Sequence, residues 1–248
     1  SIQIGAMTGK AVSKALDRGK TEEKYLLTCG ASAGLAAAFH APLAGVMFSL
    51  EEIHKNFSVS VLVSVMTASI TADYISGQLL GVQSVFQFDI GLEIEPRYYW
   101  HIVILGVILG LLGAFYNKMT MWVQGLYYKA KRQNEPTRLL IPFLLAGVLG
   151  LAAPQVLGSG HDLIETAAGG EMVLGTLLGL LALKFVFSLI SFGSGAPGGI
   201  FFPLLVLGAL IGGSYGTFAA QYMGLDPSYI SNFVLLAMAG YFTAIVRA

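Results

Sequence analysis

Charge is scarce in this 248-residue sequence, which has 14 Lys and Arg against 14 Asp and Glu, 11% of the chain. Soluble domains carry about 25%, so bulk water is excluded as the main solvent. The formal net charge is zero, which removes the electrostatic footprint that holds nucleic acid, and no nucleic-acid partner is expected. Cysteine occurs once, as Cys29; without a partner it forms no intrachain disulfide, and it is expected to be a small packed side chain. Alternating apolar and polar runs are lacking as well, because the Val- and Ile-rich stretches outrun strand length, and this excludes a sheet as the organising element. Ser1 is not preceded by a leader of basic, apolar and small residues. Both ends cut into helical patterns, Ile2–Gly5 and Ile245–Ala248, so the chain is expected to be a piece truncated at both ends.

What the chain has is apolar length. Hydrophobic residues make up 55% of it, glycine contributes 31 residues and the mean hydropathy is +0.72. Crossing a bilayer takes about 20 helical residues, and apolar runs approaching or exceeding that occur at Val59–Ile75, Ile102–Gly125, Leu139–Ala153, Met172–Phe192, Phe201–Ala220 and Phe233–Val246. Charge gathers between them, in Lys10–Lys24, Glu51–Lys55, Glu93–Arg97 and Lys129–Arg138, which are expected to be loops outside hydrocarbon. A soluble helical protein would need polar helix faces that these runs do not have. The predicted fold class is an all-α, polytopic membrane protein, with broken or re-entrant helices where runs are short or glycine-rich. Tyr98, Tyr99 and Trp100 at one end of Ile102–Leu126, and Trp122, Tyr127 and Tyr128 at the other, are expected to form aromatic belts at the two interfaces.

One internal repeat survives inspection. Ile4-Gly5-Ala6-Met7-Thr8-Gly9 parallels Leu207-Gly208-Ala209-Leu210-Ile211-Gly212, and Ala37–Ala41 parallels Ala244–Ala248 some forty residues later. Two related halves are predicted, approximately 1–128 and 139–248. Repeats in transporters are commonly inverted, with the substrate site near the midplane between them.

The strongest chemical signal is Gly193-Ser194-Gly195-Ala196-Pro197-Gly198-Gly199-Ile200-Phe201-Phe202-Pro203, between two apolar runs. Unwound backbone at membrane depth is tolerated only where it lines a cavity or is covered by protein. A helix starting after this turn aims free N–H groups and its positive dipole end inward, which is an anion site. The N–H groups of Ile200 and Phe201 are the expected donors, and Gly198 and Gly199 let an ion reach the main chain. Glycines can also serve only to bring helices close, and the residues alone leave both readings standing.

The stretch Gly195–Pro203 resembles the anion-binding motif of the CLC family of chloride channels and chloride/proton antiporters, realised as Gly199, Ile200, Phe201, Phe202 and Pro203, with Gly195 and Pro197 in its lead-in. Gly30–Glu52 is similar to the long signature of that family's first half. Ser1–Gly5 resembles the sequel to its Gly-Lys/Arg-Glu-Gly-Pro motif, and Arg247-Ala248 the start of its Arg-Ala-Pro motif. The resemblance runs along the whole chain. It implies a prokaryotic-type, integral membrane homodimer in the bacterial inner (plasma) membrane, with chloride as substrate and no cofactor. It also implies an internal inverted repeat, and it puts the gating glutamate, inner-gate serine and chloride-coordinating tyrosine outside this sequence.

Glu51 and Glu52 are adjacent, so on a helix they point about 100° apart and cannot share one environment. By the resemblance, Glu52 matches the internal proton-transfer glutamate of the antiporters, which channels replace with an apolar residue, so chloride/proton exchange is expected ahead of a voltage-gated channel or a fluoride transporter. Partial desolvation would suit such a carrier. The residues by themselves are equally a solvated helix end beside His54 and Lys55. Lys184 is a cation inside the apolar run Leu177–Leu189, either raising the local potential for an anion or snorkelling to an interface. His40 is expected to be a packed polar residue, and His54, His101 and His161 lack metal-ligand spacing. An intramembrane enzyme built on Glu52, His40 or Asp162 would need a nucleophile and base at coherent spacing, which the sequence does not offer. The basic residues of 129–138 argue for a cytoplasmic loop, as the resemblance implies, whereas three crossings back to Lys10–Lys24 would put that segment, with its five basic residues, on the other side.

Overall fold

A computed structural model describes residues 1–54, 58–81, 93–129, 135–170, 172–196 and 198–246, the side chains of 135–137 excepted. Among these residues there are ten α-helices and no strand. The chain divides into two compact units, Ser1–Gln87 and Phe88–Arg247.

The first unit is built on α1 (Ile2–Ala15), α2 (Lys20–Phe39), α3 (Pro42–Phe48), a π-helical turn (Ser49–His54) and α4 (Val59–Leu80). Glycine decides how α1 meets α2. A side chain on Gly5 would run into the backbone of Gly30, and one on Gly9 into the carbonyl of Leu26. The segment Lys10–Lys24 is therefore not the expected loop: Lys10 and Lys14 ride on α1, Lys20 and Lys24 on α2, and only four residues turn between the helices.

His40 ends α2 in the left-handed conformation, φ 54°, and Pro42 opens α3 at a position where the missing N–H is harmless. Its Nδ1 pairs with the Asp73 carboxylate on α4, and the Ser32 and Ser69 hydroxyls bond each other where α2 meets α4. Val46, Leu50, Val61 and Val65 form the small core.

The second unit holds α5 (Tyr99–Lys129), α6 (Glu135–Ala152), α7 (His161–Ala168), α8 (Leu174–Gly193), α9 (Phe201–Tyr222) and α10 (Ile230–Val246). The sequence grouping put α5 with the first half; it packs in the second unit, against α8 and α10. Among the described residues, five helices are long and apolar enough to cross a membrane: α4, α5, α8, α9 and α10, the second and last with the short turns that lead into them. With the shorter apolar α6, they account for all six predicted runs. Trp100 and Trp122 are 22 residues apart on α5, about 33 Å along its axis, which matches the hydrocarbon thickness of about 30 Å. Both are exposed, as are Tyr99 and Tyr128, consistent with the expected belts.

Helix α9 is the core of its unit. Buried residues make up 78% of its span, against 17–39% for the other four. Its glycines meet α10 as those of α1 meet α2: a side chain on Gly208 would strike Met238 and Ala237, and one on Gly212 would strike Phe233. In the repeat alignment, Gly5 against Gly30 corresponds to Gly208 against Ala237, and Gly9 against Leu26 to Gly212 against Phe233. The repeated letters thus stand at repeated helix crossings.

Ahead of α10, Asp226 Oδ1 accepts from the Ser228 N–H at 2.9 Å and from its hydroxyl at 2.7 Å. These bonds hold the carboxyl below its ordinary range, with the Arg97 charge adding to the effect. A carboxyl with a lowered folded-state pKa stabilises above the unfolded value and loses that contribution as pH falls through the folded one. Asp226→Ala should therefore lower the thermal midpoint at pH 7, and the difference from wild type should close under acid; a difference unchanged at low pH would refute the capping role.

Candidate functional site

Helix α8 ends at Gly193 and α9 begins at Phe201. The connecting turn is fixed from its upstream side. Ser194 N–H donates to Ile190 O at 3.1 Å and Gly195 N–H to Phe192 O at 3.2 Å. The Ser194 hydroxyl donates to Ser191 O at 2.6 Å and accepts from Ala196 N–H at 3.2 Å. Gly195 has φ +79°, a conformation that side chains disfavour. Pro197 lies outside the described residues, as do Lys55 and the closing Arg247 and Ala248.

Downstream the character changes. Around Gly198 and Gly199 a Cβ would meet nothing within 4 Å, in contrast to Gly208 and Gly212 on the helix that follows. Helix packing does not explain these two glycines. Among the described residues, the N–H groups of Gly198, Gly199 and Ile200 have no hydrogen-bond acceptor. Ile200 is the residue before α9, and half exposed. Phe201 opens the helix and stacks edge-on against Phe242 of α10, with ring centroids 5.0 Å apart. Pro203 sits in the first turn of α9, where a missing N–H leaves no intrahelical bond broken. The result is an open strip of main-chain donors leading into the positive end of a 22-residue helix, a geometry suited to an anion.

Glu51 and Glu52 lie in the π-helical turn rather than at an α-helical end, and π turns occur frequently at functional sites. Glu51 is exposed and Glu52 half-buried, so the two carboxylates do occupy different surroundings. Glu52 makes no ion pair among the described residues. The neighbouring His54 ring stacks on Tyr25 of α2 at 5.5 Å.

Lys184 is 2% exposed. Its Nζ donates to Val156 O at 2.6 Å and to Gly158 O at 3.4 Å, and no described carboxylate lies within ion-pair distance. It does not snorkel; the ammonium clips the link between α6 and α7. Lys184→Ala would leave the Val156 carbonyl unpaired, a loss of about 1–3 kcal/mol, so a lower thermal midpoint with unchanged chloride affinity is expected. The reverse result, altered affinity at full stability, would make Lys184 a charge for the anion.

Of the remaining histidines, His40 and His101 are packed side chains and His161 is partly exposed. His40 pairs with Asp73, His161 Nε2 stands 3.4 Å from Glu165, and His101, fully buried, shares a 2.9 Å hydrogen bond with Tyr215 OH. Asp73 and Tyr215 were not singled out in sequence, since their partners lie 33 and 114 residues away and no local pattern marks them. Asp162 lies in the first turn of α7.

The family model described as voltage gated chloride channel matches residues 1–248. The "H(+)/Cl(-) exchange transporter ClcA" of Yersinia pestis is 32% identical over 257 residues, covering 100% of this chain and 53% of the relative. The protein of the same name from Vibrio cholerae is 34% identical over 262 residues, covering 100% and 54%. The chain thus spans about half the length of these curated relatives. Among solved structures, a slow cyanobacterial Cl-/H+ antiporter superposes with TM-score 0.81 at 22% identity, over 99% of this chain and 63% of that one. A CLC-type fluoride/proton antiporter gives 0.76 at 23%, over 98% and 59%. At these identities the two structures speak for the fold.

Proposed function

Since the chain belongs to the voltage-gated chloride channel family, we propose that its parent protein exchanges chloride for protons across a membrane, and that the Gly198–Phe201 strip binds the anion. The observation that carries this is the open space at Gly198 and Gly199 immediately before α9, where packing alone would have filled it. The ion gives up part of its hydration shell to main-chain N–H groups, and the helix dipole supplies further attraction. Gly195 shapes the approach and Pro203 lets α9 start without a wasted donor.

Glu52 is the proposed internal proton carrier. Its half-buried place in a π turn, beside an exposed Glu51, supports a separate role for this carboxylate. The relatives named as H(+)/Cl(-) exchangers support this assignment. The assembly we propose is a homodimer in a bacterial inner membrane, each subunit built from two related repeats. Of the small residues on α3 and α4, Gly45 packs inside the first unit against Ser32, while Ala44 is exposed and Ala68 half-buried. The exposed face of α4, Ser64, Thr67, Thr71 and Ile75, is small enough for close helix approach.

The test is proton flux driven by a chloride gradient in liposomes holding the full-length parent. Wild type should move protons uphill, and Glu52→Gln should abolish proton movement while chloride still flows. Chloride flux without protons in both proteins would make the parent a channel, and flux with fluoride alone would make it a fluoride transporter.

A further inference from the structure

Between α5, α6 and α8 lies an apolar slot of about 500 Å³, lined by Trp122, Leu126, Tyr127, Ile141, Val186 and Ile190 among others. Nothing in the anion turn or at Glu52 uses it. Trp122, Leu126, Ile141 and Val186 are exposed on its walls, so it opens outward rather than into the unit. Two of its lining residues, Val123 and Tyr127, also close on Gly193, which puts the slot directly behind the mount of the glycine turn.

The ends of the slot differ. Lys129 follows Leu126 by three positions and Trp122 by seven, on the same stripe of α5. Arg138 precedes Ile141 by three positions, on the same stripe of α6. Because α5 ends at Lys129 and α6 starts at Glu135, both cations stand at the slot end where these helices terminate. Among the side chains described, which leave out that of Glu135, neither has a carboxylate partner, and the Arg138 Nε is buried without a hydrogen-bond acceptor. Trp122 and Tyr127 are the amphipathic rings that favour the level of lipid headgroups.

We propose that the slot is a binding site for an anionic phospholipid, one acyl chain lying along the apolar walls and the phosphate held by Lys129 and Arg138. Charge complementarity selects the anionic class: a zwitterionic lipid fits the walls equally well but carries a second, cationic group to a place that already holds two cations. An Arg guanidinium matches phosphate geometry in a way that water does not.

The test uses the full-length parent, purified in detergent, stripped of lipid and titrated with phosphatidylglycerol or phosphatidylcholine bearing brominated acyl chains. Quenching of indole fluorescence is read as the part that disappears in Trp122→Phe. Phosphatidylglycerol should half-quench Trp122 at a concentration at least about tenfold lower than phosphatidylcholine, given two basic residues at the headgroup. Neutralising both, Lys129→Gln with Arg138→Gln, should bring the two curves together without moving the phosphatidylcholine curve. Lys129→Gln alone, at an exposed position that the fold does not need, should close part of the gap. Equal curves for the two lipids in the wild type would show ordinary annular contact and overturn the proposal. So would an absence of Trp122 quenching by either lipid, which would mean that protein fills the slot. The measurement does not depend on transport, so a parent that failed the liposome assay would still answer it.

Discussion

Gly199→Ala is expected to lower chloride affinity by about 10- to 100-fold and chloride turnover with it, while the protein purifies and melts like the wild type. A hydrogen bond to a charged partner contributes about 1.5–3 kcal/mol, and a methyl group at this position keeps the ion from the main-chain donors beside it. The fold should not object. Gly199 is not among the glycines with positive φ, and its Cβ would meet no protein atom within 4 Å. Gly198→Ala should also lower the affinity, since its Cβ would likewise meet no protein atom within 4 Å. Gly195→Ala is the informative contrast, because at φ +79° a side chain strains the turn itself, so stability and binding should fall together. Isothermal titration of chloride, paired with thermal unfolding, separates the two outcomes. Wild-type affinity in Gly199→Ala would mean that the anion does not approach the main chain here.

The six long apolar runs were legible because bilayer-spanning length is a property of composition. Helices α1 and α2 were not, beyond the helical start at Ile2–Gly5, and the reason lies in their chemistry. They hold together through glycine contacts, Gly5 with Gly30 and Gly9 with Leu26, and small residues contribute little hydropathy. Their basic ends dilute the signal further, so Lys10–Lys24 looked like a loop. The π turn that carries Glu52 has no sequence signature, since it depends on an i→i+5 register that the surrounding helices impose. Lys184 was visible as a misplaced cation, yet the carbonyls that receive it come from a link 26 to 28 residues upstream. The glycine turn shows the same limit most plainly. Gly198 and Gly199 are the same letter as Gly208 and Gly212, and only the neighbours distinguish an opening for an ion from a seam between helices.

That seam supports the second large effect. Gly212→Ala should leave little folded protein, and Gly208→Ala should be nearly as damaging. A Cβ on Gly212 would lie 2.6 Å from Phe233 O and 2.7 Å from Val234 Cα, and one on Gly208 2.7 Å from Met238 Cα. These are backbone atoms of α10, which no rotamer change can move aside. Overpacking a tight core costs about 1–3 kcal/mol where side chains can adjust, and here α10 would have to shift as a body. Such a shift would also drag Phe242 from Phe201, the first residue of α9, so any surviving protein should bind chloride poorly. Gly110→Ala is the control, an α5 position with nothing within 4 Å of its Cβ; there the higher helix propensity of alanine, about 1 kcal/mol over glycine, should leave stability unchanged or raised. The repeat makes a matching demand on the first unit, where Gly5→Ala and Gly9→Ala should be as harmful as their counterparts on α9. Thermal unfolding of the purified variants decides the matter. If Gly212→Ala melted with the wild type, α9 and α10 would not be in the close contact on which both the core and the mount of the anion turn depend.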